Sequence, residues 1–224
     1  LKETKAVGWY IDEYKKAQVS INLTNYNITS IHSAFEEVRK QANKRGVRVT
    51  GSEIVGLVPK QALLESGLFY LTKQKKSTAI PEKDIIDIAI DSLGLNEISP
   101  FNQFESIIEN RIGQKKRLVD MSNSDFIDEV SQESPAPGGG SVSAQTGALA
   151  AALIAMVANL SFGKKEYLKN NEVILDIGNQ AQFLKKELLI LVDEDSNAFD
   201  KIMSAIRMPR KTENQKEERD VAIT

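Results

Sequence analysis

A long stretch without charge constrains the fold more than any other feature of this chain. Ser141 through Gly163 contains no Lys, Arg, Asp or Glu. Small and large apolar residues both recur in it at three- and four-residue spacing, which predicts a helix with a small face and, beside it, a large one. The small face comprises Ala144, Ala148, Ala151, Ala155 and Ala158, and the large face comprises Leu149, Leu153, Met156 and Leu160.

This helix is long enough to cross a bilayer, which takes about 20 apolar residues. It also contains polar residues and is rich in alanine, which gains little from contact with lipid; the polar residues are Ser143, Gln145, Thr146, Asn159 and Ser161. A small face allows a second helix to approach closely. We therefore expect the central helix of a soluble bundle and no membrane span.

A glycine run, Gly138-Gly139-Gly140, precedes Ser141 and the helix. It lacks the Gly-Lys-Ser/Thr of a phosphate-binding P-loop, and the helical pattern of residues 122–133 leaves no strand for a dinucleotide fingerprint. Backbone amides at a helix N-terminus favour anions or polarised groups. The alternative is a plain turn between helices that needs positive φ angles. The residues alone leave both interpretations open.

Composition excludes several classes of protein. The chain has 224 residues, of which 41% are hydrophobic and 27% charged, as in soluble globular proteins. A formal net charge of −2 gives no general attraction for nucleic acid. There is no cysteine and a single histidine, His32, so we expect neither a disulfide nor a metal site. The lack of cysteine is compatible with a reducing cytoplasm without proving it, and the cytoplasm is the location we expect.

The first half of the chain predicts a mixed α+β unit. Residues 6–11 and 16–23 alternate as the strands of a hairpin joined by Asp12–Lys15. The remaining elements are a helix at 28–45 ended by Gly46, a short strand at 47–50, a loop or strand edge at 51–59, and helices at 59–73, 81–93 and 103–112.

The second half predicts helices only. We expect domain boundaries at 1–112 for the α+β unit, 113–120 for a charged linker and 121–224 for an all-α bundle. The expected helices cover residues 122–133, 142–161, 168–206 and 212–224, and the third of them is either continuous or divided by a break.

Asp195 lies at the centre of an apolar sector of the long predicted helix. Asp193 and Asp200 lie nearly opposite, as solvated charges should. A carboxylate in apolar surroundings is usually hydrogen-bonded, neutral or functional, so Asp195 is either a structural link between helices or a functional group. The sector comprises Leu184, Leu188, Leu191, Ala198, Ile202 and Ile206.

Several segments resemble known families. The passages Ser134-Pro-Ala-Pro-Gly-Gly-Gly-Ser-Val-Ser143, Phe162-Gly-Lys-Lys165, Asp193-Glu-Asp-Ser-Asn-Ala-Phe199 and Arg207-Met-Pro209 resemble the cyclodeaminases. Upstream, Val7-Gly-Trp-Tyr-Ile-Asp12, Gln18-Val-Ser-Ile-Asn22 and Gly51-Ser-Glu-Ile-Val-Gly-Leu-Val-Pro59 resemble the C-terminal subdomain of glutamate formiminotransferase. Their order is similar to that of the fused formiminotransferase-cyclodeaminase family.

The resemblance implies folate chemistry. The first domain would move a formimino group from formiminoglutamate to N5 of tetrahydrofolate during histidine breakdown. The second would close 5-formiminotetrahydrofolate to 5,10-methenyltetrahydrofolate and release ammonia. It implies tetrahydrofolate as substrate, with or without a polyglutamate tail, and no metal. We also expect a homo-oligomer.

The resemblance also implies site residues. The family's catalytic aspartate matches Asp195, and the loop Gly138, Gly139, Gly140 and Ser141 would face the folate site. Trp9 and Tyr10 could contact the pterin or aminobenzoate, whereas the alternative is an ordinary strand with core aromatics. The folate-binding segment comprises Ala6, Val7, Gly8, Trp9, Tyr10, Ile11, Asp12, Glu13, Tyr14 and Lys15.

The chain departs from the family pattern in two places. The transferase histidine belongs to an upstream subdomain, which His32 does not match, and the last cyclodeaminase helices do not follow. We therefore expect this polypeptide alone to be inactive. In the whole protein Asp195 could protonate the leaving nitrogen or, when ionised, stabilise a cationic amidinium. A non-catalytic folate-binding scaffold is the alternative function.

Overall fold

The computed structural model describes residues 1–13, 15–112 and 117–223, with the backbone alone at 213 and 223. Tyr14 and part of the expected linker, residues 113–116, lie outside the described residues. The chain divides into two compact units, Leu1–Gln114 and Lys115–Thr224.

The first unit begins with the predicted hairpin. Strands β1 (Thr4–Ile11) and β2 (Lys16–Leu23) pair antiparallel, with Trp9 opposite Gln18. Helix α1 (Ile31–Lys44) begins at Ile31 rather than at 28. The Ser30 side chain accepts a hydrogen bond from the Ser33 amide and so caps the helix there.

Two helices form the core of the first unit. Helices α2 (Lys60–Lys73) and α3 (Glu82–Leu93) pack closely, since a Cβ at Gly67 would clash with the backbone of Ile85. Both were predicted from the sequence to within a residue. The core around them includes Leu63, Ile86, Ala89, Ile90, Leu93 and Ile107.

Two predictions for this unit are wrong. Residues 47–50 form no strand, because the ladder of β1 and β2 is the only sheet in the described ranges and a strand needs a neighbour. The helix at 103–112 is two helices, α4 (Gln103–Ser106) and α5 (Ile108–Ile112). The backbone on either side of Ile107 pairs with Val58 instead, with N···O distances of 2.9 and 3.1 Å.

The described part of the second unit is helical, as predicted. A 3-10 turn (Leu118–Asp120) lies within the range expected as linker. Helix α6 (Asn123–Val130) ends before residue 133, and α7 (Gly139–Ser161) begins before 142. A second 3-10 turn (Lys165–Asn170) leads into α8 (Asn171–Ile206), which is continuous, and α9 (Glu213–Ile223) follows.

Helices α7 and α8 pack as an antiparallel pair through small residues. The predicted small face of α7 is confirmed, since Ala144, Ala148, Ala151, Ala155 and Ala158 are all buried. On α8 the buried residues are Gly178, Ala181, Val192 and Ala205. Small side chains on both helices bring the backbones close together.

The large face of α7 is uncovered in the described chain. Leu149, Leu153, Met156 and Leu160 are 49–60% exposed. Among the described residues α7 is the one helix long and apolar enough to cross a membrane by length and composition, with 33% of its apolar window buried. The core helix of a soluble protein meets the same criterion, so this single helix is weak evidence for a membrane span.

Candidate functional site

The carboxylate of Asp195 contacts the first turn of α7. Its Oδ2 atom accepts hydrogen bonds from the Ser141 amide at 2.8 Å and from the Ser141 hydroxyl at 3.1 Å. The first amides of a helix lack acceptors within the helix and carry a partial positive charge. Gly138, the N-cap residue, has no side chain to supply an acceptor. Asp195 therefore caps α7 from a different helix.

Ser141 is completely buried at the junction of the two helices. Its hydroxyl oxygen lies 2.8 Å from the carbonyl oxygen of Val192 and 3.0 Å from the hydroxyl of Ser196. The single hydroxyl proton can go to Val192 or to Asp195, while Ser196 can donate to Ser141. The hydroxyl of Ser141 thus links Asp195 to the backbone of α8 at the completely buried residue Val192.

Gly140 gives the carboxylate its space. A Cβ at this position would overlap the Asp195 carboxylate, whereas a Cβ at Gly139 would meet nothing within 4 Å. None of the glycines from 138 to 140 has a positive φ, so the interpretation of this run as a positive-φ turn is wrong. Close approach of α8, rather than backbone conformation, explains the need for glycine at 140.

The apolar sector around Asp195 is not buried as expected. Asp195 is itself exposed, and α7 packs against the neighbouring face of α8, which carries Ala181 and Val192. Small residues permit the closer approach, so α7 settles on that face and leaves Asp195 at its border. In the expected sector Leu184, Leu191, Ile202 and Ile206 are 45–53% exposed.

Asp193 is not the purely solvated charge that the helical pattern predicted. It is half-buried, and its Oδ1 accepts a hydrogen bond of 2.6 Å from the Leu118 amide. Arg117 and Asp120 brace the same turn with N···O distances of 2.9 and 2.8 Å, and the hydrogen bond from Arg117 lowers the pKa of Asp120. Asp193 therefore ties this turn to α8, while Asp200 is exposed as expected.

The proposed folate segment lies on an exposed strand. Trp9 is 45% and Tyr10 59% exposed, so they are not core aromatics in the described chain. Neighbouring residues of a strand point to opposite faces, so these two rings cannot stack on the same side of one ligand. The rest of Ala6–Tyr10 is also exposed, Ile11 is half-buried, and Asp12, Glu13 and Lys15 are exposed; Tyr14 lies outside the described residues.

His32 has structural partners within the first unit. Its Nε2 lies 2.9 Å from the Ser30 hydroxyl and its Nδ1 3.4 Å from that of Ser66. The ring stacks on Phe69 with centroids 4.3 Å apart, and burial lowers the pKa of His32. These contacts fix the start of α1 against α2.

An α+β unit with an exposed aromatic strand, followed by a helical unit with a carboxylate-capped helix, defines a two-domain protein. Comparison with known families assigns both parts. Residues 1–113 match the formiminotransferase domain, and residues 122–224 match the formiminotransferase-cyclodeaminase domain. The chain belongs to the formiminotransferase-cyclodeaminase family.

Individual relatives agree with both matches. The whole chain is 38% identical over 226 residues to formimidoyltransferase-cyclodeaminase of Gallus gallus and 36% identical to that of Mus musculus. It spans 42% of the length of each of these curated relatives. A shorter match, 35% identical over 98 residues, is to methenyltetrahydrofolate cyclohydrolase of Methylorubrum extorquens and covers 44% of this chain and 47% of that protein.

Proposed function

We propose that the full-length protein is a bifunctional folate enzyme of histidine degradation. It transfers the formimino group of formiminoglutamate to tetrahydrofolate and then cyclises 5-formiminotetrahydrofolate to 5,10-methenyltetrahydrofolate with release of ammonia. The observation that carries the proposal is the succession of a formiminotransferase domain and a cyclodeaminase domain in one chain. The carboxylate held at the start of α7 supports the second activity.

Cyclodeamination requires one bond to form and one to break at the formimino carbon. N10 of the folate attacks this carbon and forms a tetrahedral intermediate. The C–N bond to the former formimino nitrogen then breaks. When the formimino group starts as the protonated amidinium, N10 loses one proton and the leaving nitrogen gains one, so that ammonia departs and the cationic methenyl bridge remains. A positioned acid-base group accelerates such a step by about 10²- to 10⁴-fold.

Asp195 is the group proposed to act in this step. When protonated it can donate to the leaving nitrogen, and when ionised it can stabilise the cationic amidinium. Both roles require a carboxylate that is accessible and held in place. The exposure of Asp195 and its hydrogen bonds to Ser141 meet these two requirements.

An assay with the full-length protein tests the proposal. We expect formiminoglutamate and tetrahydrofolate to yield glutamate, methenyltetrahydrofolate and ammonia, with 5-formiminotetrahydrofolate as the intermediate. Binding of tetrahydrofolate without either reaction would support the non-catalytic scaffold instead.

A cyclohydrolase activity is a second candidate for the helical domain. The match to methenyltetrahydrofolate cyclohydrolase favours it, because hydrolysis would act on the same one-carbon bridge. Incubation of the full-length protein with methenyltetrahydrofolate alone distinguishes the cyclohydrolase activity from the cyclodeaminase activity. Catalysed conversion of methenyltetrahydrofolate to 10-formyltetrahydrofolate would indicate a cyclohydrolase. Formation of methenyltetrahydrofolate from 5-formiminotetrahydrofolate with release of ammonia would indicate a cyclodeaminase.

Replacement of Trp9 by alanine tests the proposed folate strand. We expect folate to quench the fluorescence of Trp9 and Trp9→Ala to weaken folate binding to the first domain. Aromatic contact of this kind contributes about 0.5–1.5 kcal/mol beyond burial of area. Equilibrium titration of folate measures the change, and unaltered affinity in a folded variant would leave Trp9 as a surface residue without contact to folate.

Gly8→Ala provides a second test of the same strand. A Cβ at Gly8 would come no closer than 3.6 Å to the Gln18 carbonyl oxygen, which is ordinary contact, so the hairpin should accommodate it. If the ligand approaches the backbone here, the variant binds folate more weakly while its melting temperature stays unchanged. A variant that binds folate normally would move the ligand away from Gly8.

We further propose that the protein is a cytoplasmic homo-oligomer. The uncovered apolar residues of α7 and α8, among them Leu153 and Leu191, support association. Light scattering of the purified full-length protein without detergent would give the number of subunits, and a monodisperse monomer would contradict the proposal.

A further inference from the structure

We propose that Ser141 and Gly140 are positioning residues that hold Asp195 with its Oδ2 anchored and its Oδ1 presented to the reacting group. The inference rests on the proposed cyclodeaminase function. It gives Gly140 and Ser141 a role distinct from direct contact with folate.

The two carboxylate oxygens of Asp195 have different partners. Oδ2 accepts a hydrogen bond from the Ser141 amide and lies 3.1 Å from the Ser141 hydroxyl oxygen, whose proton can also be donated to it. Within the described ranges Oδ1 has no hydrogen-bond partner. A rotation that exchanged the two oxygens would have to break the contacts of Oδ2 with Ser141, so Oδ1 is the oxygen available for proton transfer or for contact with a cation.

The anchor itself is rigid. Ser141 is completely buried, and its hydroxyl also contacts the carbonyl oxygen of Val192 and the hydroxyl of Ser196. Val192 is completely buried as well. A donor set fixed by packing keeps a functional group in a productive geometry, and a displacement of about 1 Å can cost on the order of a hundredfold in rate.

Gly140 leaves the space that the Asp195 carboxylate occupies beside α7. A Cβ at Gly140 would overlap both oxygens and the carboxylate carbon of Asp195. Any side chain there must therefore displace the carboxylate or push the helices apart. Gly139 is the matched comparison, because a Cβ at that position would face open space.

Steady-state kinetics of the full-length protein with 5-formiminotetrahydrofolate tests the inference. We expect Ser141→Ala to lower kcat by roughly 10- to 100-fold with KM changed less than about twofold, because the carboxylate loses its hydroxyl donor but folate binding is untouched. Ser141→Cys, which keeps the shape and a weaker donor, should give an intermediate kcat. Formimino transfer should continue at its normal rate in both variants.

Gly140→Ala is an independent test of the positioning role. We expect it to lower kcat at least as much as Ser141→Ala, and far more than Gly139→Ala does. Thr146→Ala is the hydroxyl control, since this exposed side chain donates to the Val142 carbonyl of its own helix and has no other hydrogen-bond partner among the described residues.

The inference is overturned if Ser141→Ala folds and keeps kcat within twofold of the parent while Asp195→Asn is inactive. The proposed function would still stand in that case. Active Asp195→Asn would instead overturn the proposed function. If thermal melting shows that Ser141→Ala is unfolded, the test is the comparison of kcat between Gly140→Ala and Gly139→Ala. Equal kcat values in these two variants would reject the positioning role.

Discussion

We expect Asp195→Asn in the full-length protein to remove most of the proposed cyclodeaminase activity and to leave the proposed formimino transfer intact. The amide oxygen of Asn can still accept a hydrogen bond from the Ser141 amide, so the cap of α7 and the fold should survive. In the proposed role, the asparagine side chain could no longer donate a proton to the leaving nitrogen or place a negative charge beside the amidinium. We expect a loss of about 10²- to 10⁴-fold in kcat, measured as ammonia released from 5-formiminotetrahydrofolate.

Asp200→Asn is the matched control, because Asp200 is exposed on the same helix. Asp193→Asn should also do little to turnover, since its amide oxygen can keep the hydrogen bond from Leu118. Near-parental cyclodeaminase turnover in Asp195→Asn would falsify the assignment. Loss of both activities together would indicate a folding defect rather than chemistry.

Ala155→Leu lowers the stability of the helical unit. Ala155 is 2% exposed, and the antiparallel register set by Ser141 with Val192 and by Gly147 with Leu188 places it level with the buried Ala181. A leucine there must push the helices apart. Overpacking of this kind costs about 1–3 kcal/mol, sometimes more, so the melting temperature should fall.

Ala150→Leu is the control, because Ala150 is exposed on the same helix. The two substitutions add the same atoms, so a difference in melting temperature reports packing alone. In a membrane span leucine is favoured over alanine, and both variants would then be tolerated or stabilised. An Ala155→Leu variant as stable and as soluble as the parent would refute the buried small face.

The sequence predicted the small face of α7 because periodicity records which residues share a side of a helix. It also singled out Asp195. It could not predict which sector of α8 packs against α7, since that choice depends on how closely two backbones approach at residues such as Gly140 and Ala181. The buried face therefore lies beside the expected one.

The other differences between the predicted and the observed elements have a common cause, which is contact with distant parts of the chain. The start of α7 at Gly139 is capped by Asp195 and the turn at Leu118 is held by Asp193, both from a distant part of the chain. The pairing of Val58 with the backbone around Ile107 divides one expected helix in the same way. Local sequence patterns cannot predict partners that lie far away in the chain. The folate strand and the role of Asp195 in catalysis stay predictions from the family resemblance.

The cap that Asp195 provides has a consequence for dynamics. Its acceptor lies 54 residues from the Ser141 amide it serves, so the first turn of α7 can be protected only while α7 and α8 are docked. Fraying of that turn and loss of the carboxylate's position are then the same event, with one free energy of local opening. The hydrogen-exchange rate of the Ser141 amide therefore reports directly how often the site is disassembled.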